Sequence, residues 1–142
     1  MVVAYDGTNY CGWQIQPNGN TIEGELNRAL SELLGEKIIV SGASRTDAGV
    51  HSCGNVAVFD TIARMPAEKI SYALNQRLPE DIVVQCSQKV PLDFHPRHVK
   101  SKKTFFRLYL KPLLESGELQ MTHPEQPSIS TQQYIRTHRI EK

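Results

Sequence analysis

The chain has 142 residues, of which 39% are hydrophobic and 22% are charged, a composition typical of a soluble globular protein with one main core. No apolar run approaches the ~18 residues that a membrane span requires, and the start lacks the pattern of a secretory signal. The cysteines form no C-x-x-C pair, which argues against a disulfide framework or structural zinc and suits a reducing cytoplasm. They are Cys11, Cys53 and Cys86.

The positive charge is concentrated in one block, although the net charge of the chain is only +1. Residues 94–111 contain six basic side chains and no acidic one. Such a block is either a phosphate-binding surface or a solvated, lysine-rich loop, and charge alone favours neither. The basic residues are Arg97, Lys100, Lys102, Lys103, Arg107 and Lys111.

In chain order, the first predicted element is a strand at residues 2–4, followed by loop composition over 8–20. A helix is predicted from Ile22 to a closing Gly35, because apolar side chains recur there at helical spacing. Thr21 or Asn20 precedes it as the cap. The apolar positions are Ile22, Leu26, Ala29, Leu30, Leu33 and Leu34.

The second part of the chain predicts strands at 37–41 and 55–60, then a helix with Pro66 in its first turn. Further strands are predicted at 82–90 and 104–110. This order is that of a ferredoxin-like split βαβ fold with one extra strand. We therefore predict an α+β class, with an antiparallel sheet and two helices on one face.

The character of the chain changes after Pro112. Residues 112–142 lack a clear apolar period and are rich in Pro, Ser, Thr and Gln. We predict a principal domain over 1–111 and a tail of unclear structure over 112–142.

The segment 42–51, GASRTDAGVH, is the densest in chemically active residues. It lies between two predicted strands, where a loop presents side chains from a rigid support. Asp47 is its only carboxylate, and Arg45 stands two residues away. An ionised aspartate is a possible nucleophile or base. The same residues also suit an ordinary turn with a surface ion pair, which composition alone favours.

Two other segments carry aromatic residues. In segment 5–14, YDGTNYCGWQ, the rings either contact RNA or pack in the core, and the core is favoured for Trp13. In the strand 104–110, alternation separates an apolar face from a mixed face suited to stacking a base beside a phosphate. The apolar face carries Phe106, Leu108 and Leu110, and the mixed face carries Phe105, Arg107 and Tyr109.

No metal site is predicted. His51 and Cys53 are close in sequence, but the pattern of the zinc deaminases is absent. His95 and His98 lack a third ligand nearby.

Four segments, in this order, resemble the bacterial tRNA pseudouridine synthase A family. Segment 5–14 resembles Y-D-G-x-x-Y/F-x-G-W-Q, and residues 44–51 resemble G-R-T-D-A-G-V-H, with Ser44 in place of the first glycine. Residues 75–79 are similar to N-x-x-L-P, and residues 93–97 to D-F-H-A-R. The resemblance spans roughly residues 1–111 and implies an N-terminal portion of such an enzyme.

The resemblance implies that Asp47 cleaves the glycosidic bond of a uridine, by attacking the base or by taking a sugar proton. Arg45 would pair with Asp47 and help to flip the target nucleotide out of its stem. The base would then rotate and reattach through carbon, with no metal or organic cofactor. The implied substrate is the anticodon arm of tRNA, at positions 38 to 40, and the implied assembly is a homodimer.

For RNA contacts, the resemblance implies that Phe105 stacks on the target base, where the family has a tyrosine. The other candidate substrate-binding residues are Arg97, Lys102, Lys103, Arg107 and Tyr109.

Family members are about twice this length and consist of two similar halves, and residues 113–142 do not resemble the second half. We therefore expect this chain alone not to turn over tRNA. The alternative function is a catalytically inactive RNA-binding fragment of the same fold.

Overall fold

The computed structural model describes residues 1–98, 111–117, 119–121, 125 and 134–136. The chain divides into two compact units, Met1–His98 and Val99–Lys142. None of the helices in the described part of the chain combines the length and apolar character that crossing a membrane requires.

The first unit is a four-stranded antiparallel sheet with two helices. The sheet has the strand order β2-β3-β1-β4. With the chain order β-α-β-β-α-β, this is the predicted α+β, ferredoxin-like arrangement, which the structure confirms. The elements are β1 (Val2–Tyr5), α1 (Ile22–Leu34), β2 (Ser41–Gly42), β3 (Ser52–Val58), α2 (Ala67–Asn75) and β4 (Ile82–Cys86).

Both helices pack on the same face of the sheet, as predicted. Alternate residues of β1 and β4 point to that face, because successive side chains of a strand point to opposite sides. These side chains form one buried cluster with the apolar stripes of α1 and α2. The cluster includes Val3, Tyr5, Ile22, Leu26, Ala29, Leu30, Ile70, Leu74, Ile82 and Val84.

Helix α1 begins and ends where the sequence predicts. The Thr21 side chain accepts a hydrogen bond from the Gly24 N–H at 3.2 Å, which caps the start. Gly35 adopts a left-handed conformation with φ 68° and donates its N–H to Ser31 O at 3.0 Å, which closes the end. Helix α2 begins at Ala67, so Pro66 is its cap residue and not part of its first turn.

The strand predicted at 37–41 is wrong for most of its length. The Ile38 N–H donates to Ser31 Oγ at 2.9 Å, and the Val40 N–H donates to Asn27 Oδ1 at 2.8 Å. Side chains of α1 therefore take the place of a neighbouring strand. Pairing with β3 starts only at Ser41, which leaves β2 with two residues.

Two other strands have different limits from those predicted. Strand β3 begins at Ser52 instead of residue 55. Strand β4 ends at Cys86 instead of residue 90. There Ser87 leaves the sheet: its Oγ accepts the Ser71 N–H at 2.9 Å and donates to Ala67 O at 2.6 Å, so the chain is tied to α2.

The described residues of the second unit form a short helix, α3 (Lys111–Glu115), and two strands, β5 (Leu119–Met121) and β6 (Tyr134–Arg136). The strands pair antiparallel, with Leu119 opposite Arg136. Exposed Lys111 and Glu115 form an ion pair of 3.6 Å across one helical turn. The strand predicted at 104–110 lies outside the described residues.

Asn75 provides a test of how β4 is held. Its amide Nδ2 donates to Val84 O at 2.9 Å, and its Oδ1 accepts the Val84 N–H at 2.8 Å. Val84 is buried, and Asn75→Ala leaves its N–H and its C=O unpaired. We therefore expect the free energy of unfolding to fall by about 2–3 kcal/mol. Urea denaturation measures it. Asn18→Ala, in an exposed turn, is the control and should cost under about 0.5 kcal/mol. Equal losses would contradict this assignment.

Candidate active site

Asp47 lies on the connection between β2 and β3, here called the Asp47 loop (residues 43–51). The loop is anchored to the sheet at its start. The Ala43 N–H donates to Val56 O at 2.8 Å. The Asn55 side chain, 5% exposed, bonds both backbone groups of Ser44, at 3.2 and 2.9 Å. The loop therefore leaves the sheet in a defined direction.

Segment 5–14 holds the other side of the Asp47 loop. The Trp13 N–H donates to Thr46 O at 3.0 Å, and the Gly49 N–H donates to Tyr10 O at 3.2 Å. The Gly7 N–H donates to His51 Nδ1 at 3.0 Å. Two motifs that are separate in sequence thus form one hydrogen-bonded unit.

Two glycines permit this close approach. A Cβ atom on Gly7 would lie 2.0 Å from Val50 O. A Cβ atom on Gly12 would lie 2.5 Å from Thr46 O, and Gly12 also has a φ of 91°. A side chain at either position would push segment 5–14 away from the loop.

The aromatic residues of segment 5–14 are buried. Tyr5 and Trp13 are 5% and 2% exposed, and their ring centroids lie 5.9 Å apart. The burial of Trp13 confirms the prediction that it packs in the core. The alternative prediction, that the rings of segment 5–14 contact RNA, is wrong for Tyr5 and Trp13. Buried Tyr10 donates its hydroxyl to Asp81 Oδ1 at 2.5 Å. Burial and this hydrogen bond raise the pKa of Tyr10.

His51, at the end of the loop, faces Asp6. Its Nδ1 lies 3.0 Å from Asp6 Oδ1, and both side chains are exposed. Hydrogen bonds from the hydroxyl and N–H of Thr8, followed by the charge of His51, lower the pKa of Asp6. His51 Nδ1 accepts the Gly7 N–H only when it carries no proton, and donates to Asp6 only when it does. The two contacts therefore exclude each other at any one time.

Asp47 and Arg45 are both exposed on the loop. The ion pair expected between them is not formed: the described residues contain no salt bridge between Arg45 and Asp47. Both side chains are in water, where an ion pair gains little.

Arg97 is exposed in a 3₁₀ turn, Pro96–His98, which packs against β2 and β3, the strands that flank the loop. Pro96 is buried at this contact. The other predicted substrate-binding residues lie outside the described residues: Lys102, Lys103, Phe105, Arg107 and Tyr109. In the part of the chain that the structure describes, no three His, Cys, Asp or Glu side chains converge as metal ligands would.

The sequence assigned no role to Thr46 or Asn55, which support the loop. The sequence did contain a signal for Asn55: it is a polar residue at an inward position of β3, two residues before buried Ala57. A polar residue at such a position needs a buried hydrogen-bond partner. The sequence contained no such signal for Thr46, because its hydrogen-bond partner Tyr5 is 41 residues away.

The close approach at Gly12 is testable by comparison with Gly35. Both have positive φ, but nothing lies within 4 Å of a Cβ on Gly35. Gly35→Ala should cost about 1 kcal/mol of unfolding free energy, for the left-handed backbone alone. Gly12→Ala should cost at least about 2 kcal/mol more, because its Cβ overlaps a backbone oxygen that cannot rotate away. Chemical denaturation compares the two; equal losses would mean that the loop yields without strain.

The family model described as tRNA pseudouridine synthase matches residues 1–98. A second model, described as the C-terminal domain of filamentation induced by cAMP protein Fic-like, matches residues 95–137.

Among curated proteins, tRNA pseudouridine synthase A of Ruminiclostridium cellulolyticum is 50% identical over 113 residues, 79% of this chain and 46% of that protein. The protein of the same name from Acetivibrio thermocellus is 48% identical, over 77% of this chain and 45% of that protein. The one from Citrifermentans bemidjiense is 52% identical, over 68% of this chain and 39% of that protein. The chain thus spans less than half the length of these relatives. With the family match covering most of its residues, this chain belongs to the tRNA pseudouridine synthase family.

Proposed function

We propose that this chain is the catalytic-aspartate portion of a tRNA pseudouridine synthase that isomerises uridine at positions 38 to 40 of the anticodon arm. The observation that carries the proposal is an exposed aspartate, Asp47, on a loop anchored from both sides. The relatives named above supply the substrate class and the reaction.

In this proposal Asp47 begins the reaction. Its carboxylate either attacks the uracil ring or takes a proton from the ribose, and each route breaks the bond between the base nitrogen and the sugar. The freed base rotates, its C5 bonds to the same sugar carbon, the proton on C5 leaves, and the ring nitrogen that was released gains a proton. On the first route the bond between Asp47 and the ring then breaks, and on the second route the abstracted proton returns to the ribose. Neither route needs a metal or an organic cofactor, because the groups exchanged are all within the substrate.

Arg45 is suited to keeping the target nucleotide extruded. Its guanidinium is exposed two residues before Asp47 and has no hydrogen-bonded partner in the described residues. A cation that fills the vacated space compensates for the loss of stacking. We propose that its pairing with Asp47 belongs to the RNA-bound state, where water is excluded and the attraction is stronger.

We propose that the basic block 94–111 binds the tRNA backbone. Arg97 lies on the turn that packs against the strands flanking the Asp47 loop. Lys102, Lys103, Arg107 and Tyr109 are proposed as further contacts, and Phe105 as the stacking partner of the base. Phenylalanine stacks as tyrosine does but has no hydroxyl for proton transfer.

We propose that residues 1–111 belong to the synthase domain. An alignment of 113 residues with the R. cellulolyticum protein cannot fit within residues 1–98, so the similarity continues past the family match. We propose residues 112–142 as a separate segment, most of which falls in the Fic-like match; that match covers residues 95–137 and so also includes the end of the proposed synthase domain.

The remaining length of the relatives is proposed to complete the catalytic cleft. Asp47 is exposed, and electrostatic stabilisation of a transition state is weak in water. The favoured alternative for the isolated chain is therefore an RNA-binding fragment without turnover. We propose that the complete enzyme is a homodimer in the cytoplasm; the free thiols of Cys11, Cys53 and Cys86 suit that reducing compartment.

The reaction is tested by tritium release from tRNA labelled at uridine C5, with the 142-residue chain alone and with the C-terminal half of the R. cellulolyticum protein added. We expect product only with the added half. Asp47→Asn should then lower the rate at least about 10³-fold, because the charge and the nucleophile are lost, while tRNA affinity changes less than about 2-fold.

The matched control is Asp60→Asn, an exposed carboxylate after β3, which should leave the rate unchanged. Turnover by Asp47→Asn near the parent rate would refute the assignment of Asp47. Product from the chain alone would refute the need for a second half.

The phosphate-binding role of the basic block is tested by salt dependence. Lys102→Gln with Lys103→Gln should weaken tRNA binding and reduce the slope of log affinity against log salt by about 0.9 for each lost duplex contact. Lys69→Gln with Lys89→Gln, both exposed outside the block, should leave the slope unchanged. Filter binding at several salt concentrations measures it, and equal slopes for both double variants would show that Lys102 and Lys103 only solubilise the chain.

A further inference from the structure

We propose that Tyr5 and Thr46 form a positioning pair that fixes the direction of the Asp47 carboxylate. The Tyr5 hydroxyl and Thr46 Oγ1 are 2.8 Å apart, a hydrogen bond between residues 41 positions apart. The inference rests on the proposed function of Asp47 and assigns a role to two motif residues that take no part in the reaction itself.

Thr46 is the inward-facing residue of the loop centre. Among residues 44–50 it is half-buried, whereas the other six are exposed. The side chains on either side, Arg45 and Asp47, have no hydrogen-bonded partner in the described residues. The direction of Asp47 is therefore set by its backbone, and so by whatever holds Thr46.

Three contacts hold Thr46. Its hydroxyl bonds Tyr5, its carbonyl oxygen accepts the Trp13 N–H at 3.0 Å, and Gly12 lies against that same oxygen. The side chain and the carbonyl fix two different directions, so together they restrict rotation of the peptide that leads into Asp47.

The anchor itself is rigid. Tyr5 ends β1, where it is opposite Ser52 of β3 and Ile82 of β4. Its ring is 5% exposed and packs against Trp13, so only the hydroxyl remains to reach the loop. A catalytic group needs placement to about 0.5 Å, and a loop achieves this only when a core element supports it. The Tyr5 hydroxyl connects the hydrophobic core to the residue before Asp47.

The pair is tested first by amide hydrogen exchange in the 142-residue chain, which needs no catalytic activity. Tyr5→Phe should speed exchange of the Trp13 amide roughly 10-fold relative to the Leu30 amide in α1, because the opening of the loop becomes easier. Tyr10→Phe is the matched control: Tyr10 is equally buried and loses its bond to Asp81, but no contact with Thr46. Equal acceleration of the Trp13 amide in both variants would overturn the proposal.

The second test uses turnover with the added C-terminal half. Tyr5→Phe and Thr46→Val should each lower kcat about 10-fold, with KM for tRNA changed less than about 2-fold. The double variant should be no slower than either single variant, and Thr46→Ser, which keeps the hydroxyl, should restore kcat. Losses that multiply, or a rise in KM, would overturn the proposal. If the parent shows no turnover, the proposed function fails, while hydrogen exchange still decides whether the pair holds the loop.

Discussion

The contact between two backbones, that of segment 5–14 and that of the Asp47 loop, is the constraint on which the candidate site depends. The carbonyl oxygens of Thr46 and Val50 lie where side chains at residues 12 and 7 would stand. Only glycine permits such an approach. Once it is made, hydrogen bonds between the segments satisfy backbone groups that would otherwise be buried without partners.

Several hydrogen bonds tie this exposed loop to the sheet and to segment 5–14. Loops at protein surfaces are usually mobile because few contacts hold them. Here the side chain of Asn55 in β3 bonds the start of the loop, and the hydroxyl of Thr46, at the loop centre, bonds Tyr5 of β1. The residues on either side of Thr46, Arg45 and Asp47, are exposed. Exposed and half-buried side chains thus alternate over residues 45–47.

The sequence predicts elements whose signals are local and misses those that depend on distant partners. Helix α1 is predicted in full, because its apolar spacing, Thr21 cap and closing Gly35 all lie within it. The strand expected at 37–41 fails because alternation of buried residues arises there from packing on α1. Asp47 is recognisable from its motif. Of the residues that support the loop, Asn55 is recognisable as a polar residue in an inward strand position, whereas Thr46 is not, because a hydrogen bond to a residue 41 positions away leaves no periodic signal.

The Tyr10–Asp81 hydrogen bond has a consequence for synthesis of the chain. It joins residues 71 positions apart, and Asp81 also accepts the Asp6 N–H, at 2.9 Å. These ties between Asp81 and segment 5–14 therefore form only after residue 81 has left the ribosome. Non-local contacts of this kind form late, because loop closure must precede them. A nascent chain that already contains the Asp47 loop therefore lacks these ties, and the packing of segment 5–14 is completed only when the turn before β4 has been synthesised.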